Sequence, residues 1–516
     1  MDFDRWIIFI AMMAYMVFVI IIGLVYSKRN QNADQFYLGG RSLGPWVTAM
    51  SAEASDMSGW LLMGLPGVAY LSGMGEAIWT AIGLAVGTYL NWKLISRRLR
   101  KYTEVSGNAI TIPDFFNNRF KDKTKSLMTI SALIILFFFT AYVATGFISC
   151  GKLFQSIFGF DYRLMMLISA AVIVIYTAIG GFLAESTTDF IQGILMCISL
   201  VVVLVVGVVS AGGIDNVMAH IKSIPGFFDV FKIFNGETAS SFGAIPVIST
   251  LAWGLGYFGM PHVLLRFMAI RDEKELKKSR IIATVWVVLS LIAAVAIGLV
   301  GAALFPGLLS GANSQNETIF IEMSTRLLPP VLAGLMMSGI MAATMSTSDS
   351  QLLVTSSAIS TNFYKGIIKK NASDKEVMWV SRATVVIVTI IAAVIALDPS
   401  SSIFRLVSYA WAGFGAAFGP VVILSLFWKR MTKNGALAGM IAGGLSVVLW
   451  GTDFSGIFSW FQPIKSWHPL LNVYELLPAF IIAAVVIVVV SLCGKKPSAE
   501  ITDEFDAVVA SLKQKA

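Results

Sequence analysis

The chain has 516 residues, of which 57% are apolar and only 13% are charged. Soluble domains carry about 25% charged residues, so this composition excludes a soluble protein and indicates one that crosses a membrane several times. The net charge of +8 does not indicate nucleic-acid binding, because the basic residues occupy short loops between apolar segments. The three cysteines and three histidines show no spacing typical of disulfides or metal sites.

Hydropathy predicts thirteen membrane-spanning helices, and the first is too long for a signal peptide. The predicted spans are 6–26, 47–70, 74–96, 127–150, 164–184, 189–211, 243–265, 281–304, 330–358, 381–398, 403–428, 435–452 and 473–494. The fold class is an all-α polytopic membrane protein, with a transmembrane domain over 1–497 and a tail over 498–516. The tail mixes acidic and apolar residues, which predicts a short amphipathic helix. We interpret it as a solvated cytoplasmic tail without a specific role.

The basic residues divide the loops into two sets. Lys and Arg are concentrated in loops 27–46, 97–126, 266–280, 359–380 and 429–434. Loop 71–73 has none, and loop 305–329 has only Arg326. The positive-inside rule therefore predicts a multi-pass cell-membrane protein with its N-terminus outside and its C-terminus in the cytoplasm. An odd number of spans also requires the two termini to lie on opposite sides.

The second predicted span is interrupted by a run of small, polar and acidic residues. The run is Ser51-Ala52-Glu53-Ala54-Ser55-Asp56-Met57-Ser58-Gly59. Two carboxylates and three hydroxyls at this depth are costly unless they face protein or water, so an acid here indicates a functional site. A helix broken at this depth exposes backbone carbonyls and half-helix ends, where a small ion or solute can bind. This pattern predicts transport.

Span seven is interrupted as well, by three glycines and by Pro261. Trp253 and Tyr257 are four residues apart, which predicts that they share one helical face. Glycine and proline are common in membrane helices, so this interruption alone is not specific. Spans two and seven lie five apart in order, however. An inverted repeat of five helices predicts that relation, with the binding site where the repeats meet.

Span nine carries hydroxyls and an acid on one face, because Ser346, Asp349 and Ser350 lie at i, i+3 and i+4. Hydroxyls and unwound carbonyls are neutral oxygen donors, which suit Na⁺ better than a proton because they do not titrate near neutral pH. Asp189 is either an acid stabilised at the start of span six or part of a second cation site near Asp349. Arg41 is either a gating residue or an interfacial charge.

Several runs resemble the sodium:solute symporter family. They are LGGRSLGP from Leu38, ASDMSGW from Ala54, LMGLPG from Leu62, WGLGYFG from Trp253, MST from Met345 and SYAWAGFG from Ser408. The resemblance implies a leucine-transporter-type fold, with thirteen helices and a five-plus-five inverted-repeat core over about residues 47–428. It also implies sodium-coupled import of a small solute by alternating access, with L-proline as the expected solute.

The resemblance implies a set of site residues. The implied sodium ligands are the carbonyls of Ala54, Met57 and Ala343 and the hydroxyls of Ser346 and Thr347. The implied solute pocket is lined by Ser55, Asp56, Ser58, Gly59, Tyr142, Trp253, Tyr257 and Pro261. Asp56 corresponds to the essential acid of the family. Sodium is the only metal implied, and the implied partners are the solute and the lipid bilayer, with no organic cofactor and no required oligomer.

Glu53, Met260 and Asp349 depart from the family pattern, which leaves ion stoichiometry and ion choice open. The candidates for a second cation site or a gate are Asp189, Asp349, Ser350, Glu53 and Arg41. The alternatives are transport of another small amino acid or a betaine-like osmolyte, and, in a different class, a solute sensor on a transporter scaffold. No HExxH or GxSxG motif lies at membrane depth, so we do not expect an enzyme.

Overall fold

The computed structural model describes residues 2–27, 33–309, 314–452 and 463–514, and these are almost entirely helical. The first helices are α1 (Phe3–Ser27), α2 (Ala33–Leu38), α3 (Pro45–Gly59), α4 (Leu65–Ser72), α5 (Met74–Leu90), α6 (Ser96–Val105) and α7 (Ile112–Arg119). They are followed by α8 (Ser126–Phe158), α9 (Tyr162–Gly180), α10 (Phe182–Ser210), α11 (Ile214–Ser223), α12 (Ala244–Leu251), α13 (Pro261–Ala269) and α14 (Leu276–Leu304). The last are α15 (Ile319–Leu327), α16 (Pro330–Ser357), α17 (Asp374–Ile395), α18 (Ile403–Phe427), α19 (Lys433–Gly451), α20 (Leu476–Cys493) and α21 (Ala499–Gln514).

Two short strands, β1 (Lys232–Phe234) and β2 (Ala239–Ser241), form an antiparallel hairpin in the link between α11 and α12. Lys232 pairs with Ser241 and Phe234 pairs with Ala239. The carbonyl oxygen of Val230, just before β1, accepts a hydrogen bond from the indole of Trp79 on α5. The hairpin therefore lies beside the start of α5, outside the membrane-spanning helices.

Nine helices in the described part of the chain are long and apolar enough to cross a membrane by length and composition. The other four predicted spans coincide with α3–α4, α5–α6, α9 and α12–α13, which are short or interrupted. The all-helical class is confirmed. One boundary is wrong, because no loop separates spans five and six at 185–188. Gly181, at φ 72°, ends α9, and α10 begins directly at Phe182.

The predicted interruption of span two is confirmed. Ser58 has φ 48° and ψ −169°, a backbone conformation that L residues rarely adopt and that breaks helical geometry. A π-helical stretch, Trp60–Gly64, then connects α3 to α4. Span seven is interrupted in a different way, because Ala252–Gly259 winds as a 3₁₀ helix before α13 restarts at Pro261.

The tail is a docked helix, so our interpretation of it as solvated was wrong. Helix α21 is amphipathic as predicted, but Phe505 and Val508 on its apolar face are buried. Phe505 packs near Tyr102 of α6 with its ring tilted by 58° and 6.4 Å between ring centroids. Burial of apolar side chains against α6 gives the helix a stable position on the body of the protein.

The 3₁₀ stretch lies against α5 with its backbone in direct contact. A Cβ on Gly254 would lie 2.2 Å from the carbonyl oxygen of Gly83, and one on Gly87 would lie 2.4 Å from the carbonyl oxygen of Gly254. Real Cβ atoms do not approach backbone this closely, so only glycine allows these two segments to touch. This contact positions the interrupted span seven.

We therefore expect Gly254→Ala to destabilise the protein by about 2 kcal/mol, because the methyl group forces α5 and the 3₁₀ stretch apart. The measurement is the thermal unfolding midpoint of purified protein in detergent. Gly243→Ala is the matched control, since a Cβ there meets nothing within 4 Å. Equal midpoints for the two variants would contradict the proposed close contact.

Candidate ion and solute site

Four of the five predicted sodium ligands converge between α3 and α16. The Ser346 hydroxyl donates to the carbonyl oxygen of Ala54 at 2.8 Å and lies 3.2 Å from that of Ala343. The Thr347 hydroxyl lies 3.5 Å from the same Ala54 oxygen. All four residues are buried. A carbonyl oxygen has two lone pairs, so these atoms form a compact set of neutral oxygens of the kind that binds hard cations.

Met57, the fifth predicted ligand, lies one turn further along α3. Its carbonyl oxygen accepts the backbone N–H of Trp60, across the distorted Ser58. The structure thus places Met57 beside the break in α3, while the hydroxyls of α16 contact the carbonyl one turn earlier.

Asp56 lies at the centre of the predicted solute residues. Its backbone carbonyl accepts a hydrogen bond from the hydroxyl of Tyr142 on α8, at 2.9 Å. Its Oδ1 has no hydrogen-bond partner among the described residues and lies 3.6 Å from Nε2 of His262 on α13. A buried carboxylate oxygen without a donor is costly. The unpartnered atom therefore marks a position where a ligand's donor group would be stabilised.

The remaining predicted solute residues on α3 and α13 lie around Asp56. The Ser55 hydroxyl donates to the carbonyl of Ala52, and the Ser58 hydroxyl oxygen accepts the N–H of Trp60. Both hydroxyls are therefore bonded within the broken span itself. A Cβ on Gly59 would lie 2.4 Å from the Ser149 hydroxyl on α8, so glycine allows these helices to meet closely. Pro261 is the first residue of α13.

A stack of aromatic rings covers the site on the side beyond Trp60. Trp253 lies 5.4 Å from Trp60, 5.4 Å from Phe404 and 5.1 Å from Tyr474, between ring centroids. A cavity of about 850 Å³ opens on the far side of these rings, and Glu76 and Arg405 are among its lining residues. The rings separate this cavity from the buried Asp56.

Trp253 and Tyr257 do not share one helical face, so that prediction was wrong. A 3₁₀ helix has three residues per turn, and residues four apart therefore point about 120° away from each other. Trp253 joins the aromatic stack, whereas Tyr257 packs edge-on against Trp411 at 5.0 Å. Trp411 connects the two, because its indole N–H donates to the carbonyl of Trp253 at 2.8 Å.

An ionic cluster closes the opposite side of the site, toward the start of α3. The Arg266 guanidinium of α13 bonds to Glu185 and lies 3.2 Å from Asp189, both on α10. It also donates to the Ser51 hydroxyl at 3.0 Å and the Ser350 hydroxyl at 2.7 Å. All five side chains are at least 95% buried. The cluster therefore joins α3, α10, α13 and α16 in the interior.

This cluster contains two of the five candidates for a second cation site or a gate. Asp189 and Ser350 both contact Arg266, so a fixed cation already lies between them. Asp349 is one turn beyond Ser346, and its Oδ1 accepts the Thr177 hydroxyl of α9 at 2.7 Å. Asp349 Oδ2 has no hydrogen-bond partner in the described part of the chain. A second cation at these residues stays a prediction.

Glu53 and Arg41 lie apart from the cluster. Glu53 is fully buried on α3 and accepts the indole N–H of Trp92 at 3.0 Å. Arg41 donates to the carbonyl oxygen of Met268, in the last turn of α13, and to that of Ala109 at 2.8 Å. Arg41 therefore ties the segment before α3 to the end of α13. A gating role for either residue stays a prediction.

Three residues of the ionic cluster are missed by sequence reasoning. Arg266 falls in the predicted basic loop 266–280, Glu185 falls between the predicted spans five and six, and Ser51 is only one member of the polar run. Hydropathy assigns a charged residue near the end of a span to water. One signal is available in the sequence: Glu185 and Asp189 are four residues apart, which places two acids on one face of a helix. Two acids inside a membrane protein need a cation to pair with them.

We expect Arg266→Met to destabilise the protein by about 3–5 kcal/mol, because it leaves two buried carboxylates without their counter-charge. Arg326→Met is the control. Arg326 forms an exposed pair with Glu322 at 2.8 Å, and such pairs contribute about 0–1 kcal/mol. The measurement is thermal unfolding of both purified variants. If both lose only a little stability, the cluster does not hold the four helices together.

Comparison with known proteins identifies the family of this chain. The model of the sodium:solute symporter family matches residues 36–443. The sodium/proline symporter of Escherichia coli (strain K12) is 46% identical over 494 residues, covering 95% of this chain and 94% of its own. The high-affinity proline transporter PutP of Bacillus subtilis (strain 168) is 46% identical over 497 residues, covering 96% and 100%.

Solved structures show the same fold. A Na⁺-coupled sialic acid symporter in its substrate-bound outward-open state superposes with a TM-score of 0.76 at 20% identity, covering 95% of this chain and 99% of its own. MhsT in complex with L-phenylalanine superposes with a TM-score of 0.51 at 15% identity, covering 86% and 97%. The protein is a multi-pass membrane transporter that belongs to the sodium:solute symporter family.

Proposed function

We propose that the protein imports L-proline together with sodium by alternating access. The observation that carries this proposal is the convergence of the Ala54 carbonyl with the Ser346 and Thr347 hydroxyls, two residues along the chain from Asp56 and its unpartnered carboxylate oxygen. An ion bound at the first group lies next to a solute bound at the second. The names of the relatives, which are proline transporters, support proline as the solute.

In this proposal the sodium ligands are the predicted set. Ala54, Met57 and Ala343 contribute carbonyls, while Ser346 and Thr347 turn their hydroxyl oxygens from the Ala54 carbonyl toward the ion. Sodium is cargo in this proposal. Neutral oxygens suit it because their dipoles stabilise a single positive charge but still allow the ion to be released. The adjacent Asp56 carboxylate adds the negative charge that attracts both the ion and the ammonium group of the solute.

The solute residues suit a small zwitterion with an apolar ring. In our proposal the ring of proline packs on Trp253 and Tyr257, and its ammonium group gains about 1–2 kcal/mol from the aromatic faces. Asp56 accepts from that ammonium group. The carboxylate faces the N-terminus of α13 at Pro261, where the helix dipole favours an anion. Ser55, Ser58, Gly59 and Tyr142 complete the wall.

The aromatic stack and the ionic cluster serve as the two closures of the alternating-access cycle. We infer that the residues over 1–497 form the transporter and that its inverted-repeat core covers about residues 47–428, with the N-terminus outside and the C-terminus in the cytoplasm. This places the large cavity outside and the Arg266 cluster toward the cytoplasm. Sodium then enters a negative interior and releases about 2.3 kcal/mol per 100 mV, which drives uptake against a solute gradient.

We expect purified protein in liposomes to accumulate labelled proline above the external concentration when an inward sodium gradient is imposed. Replacing sodium by choline should abolish accumulation. Excess unlabelled proline should compete, while glycine betaine and other amino acids should compete at least about tenfold less well. Competition by betaine but not proline would assign the osmolyte alternative. Sodium-independent equilibration would exclude a symporter.

The double variant Ser346→Ala, Thr347→Ala should bind sodium more weakly, so that the sodium concentration for half-maximal uptake rises at least about tenfold, because two of five ligands are removed. Ser338→Ala is the matched control. Ser338 lies on the same helix and is buried, and among the described residues its hydroxyl bonds only to the carbonyl of Gly334 one turn back. Equal sodium dependence in the two variants would remove these hydroxyls from the ion site.

A further inference from the structure

We propose that the surface under the tail helix α21 is a binding site for anionic lipid headgroups, and that the acidic tail competes with them for it. The surface consists of Tyr102, Arg119, Lys121 and Lys429, and we call it the tail-binding surface. It lies outside the ion and solute site, and the proposal is independent of the transported solute.

Acidic side chains of the tail contact two lysines of the body, in addition to the apolar contacts of Phe505 and Val508. Glu504 bonds to Lys121, and Asp506 bonds to Lys429 just beyond the end of α18. Glu500 lies 4.0 Å from Lys121. The two lysines retain 28% and 46% of their side-chain exposure, so these contacts are screened by salt and weak individually. The charged contacts of the tail are therefore open to competition from another anion.

Arg119 supplies the second observation. Its guanidinium is fully buried, and its Nη1 and Nη2 have no hydrogen-bond partner in the described part of the chain. Its carbon lies about 5 Å from three ring centroids: 5.2 Å from Tyr102, 5.1 Å from Phe120 and 5.3 Å from Phe505. Only the Phe505 ring belongs to the tail. Aromatic faces stabilise the cation, but they leave its two terminal nitrogens without acceptors.

When the tail leaves, the two terminal nitrogens of Arg119 can therefore donate to an oxyanion. A phosphate accepts two parallel N–H bonds from a guanidinium, which the rings cannot provide. Nε of Arg119 donates to the carbonyl of Ser425 on α18, at 3.1 Å, and this bond keeps the guanidinium in its orientation. Removal of Phe505 therefore opens a site for a phosphate group next to two lysines.

The position favours a lipid over a soluble anion. Lys429 lies in the short link between α18 and α19, which are both long and apolar enough to cross a membrane. This link lies at the headgroup level, where anionic lipids attract each Lys or Arg with a gain of about fivefold in affinity. The acidic side chains of α21 carry the same negative charge as these headgroups, but they belong to a segment that is covalently attached to the protein.

Hydrogen exchange of the backbone amides of 499–514 tests the proposal, with the full-length protein in nanodiscs. In neutral phosphatidylcholine we expect slow exchange, because the tail is docked. Addition of phosphatidylglycerol at constant ionic strength should accelerate exchange about fivefold or more. Inorganic phosphate at the same charge concentration should not. Equal exchange in both lipids, or an equal effect of inorganic phosphate, would overturn the proposal.

Charge variants separate competition from unfolding of the tail. Glu504→Lys should give fast exchange in both lipids and should increase the amount of phosphatidylglycerol retained on purification. Lys121→Glu combined with Glu504→Lys should restore slow exchange in neutral lipid. Asp503→Lys is the matched control, since it makes the same charge change at an exposed position of the same helix. If Asp503→Lys acts like Glu504→Lys, net tail charge alone accounts for the effect and the proposal fails.

Discussion

The site depends on one local constraint, the failure of α3 to continue as a regular helix at Ser58. A regular helix would present only side chains to the interior, because its carbonyls are directed along the axis. One turn before the break, the Ser346 hydroxyl of α16 bonds to the backbone carbonyl of Ala54, and Oδ1 of Asp56 stays without a hydrogen-bond partner among the described residues. Glycine contacts between α5 and the 3₁₀ stretch hold the second interrupted span beside the first.

The surroundings of the break have opposite chemistry on its two sides. Beyond Trp60, aromatic rings stack on one another, and such contacts can separate without leaving any charge unpaired. Toward Ser51, by contrast, a fully buried arginine holds two acids, and separation there needs water or another cation to enter. Opening on the arginine side therefore couples to hydration, whereas opening on the aromatic side is a rearrangement of packed rings.

The sequence predicts the framework well and the tertiary ties poorly. Apolar periodicity locates the spans, and the polar run around Asp56 identifies the break, because both signals are local. The Arg266 cluster draws its members from four helices, so no local pattern reveals it, and hydropathy assigns two of its three charges to loops. Whether Trp253 and Tyr257 share a helical face depends on the helix type of their segment, which is 3₁₀ and not α. The tail pattern predicts an amphipathic helix, but its partner, Arg119, is about 390 positions away in the sequence.

The central claim is that ion and solute occupy adjacent parts of one site, and binding linkage tests it most directly. Sodium should tighten proline binding by about 5–150-fold, and proline should tighten sodium binding by the same factor, because coupling is reciprocal. The measurement is equilibrium binding of both ligands to purified wild-type protein across a grid of concentrations. Equal proline affinity in sodium and in choline would contradict the account.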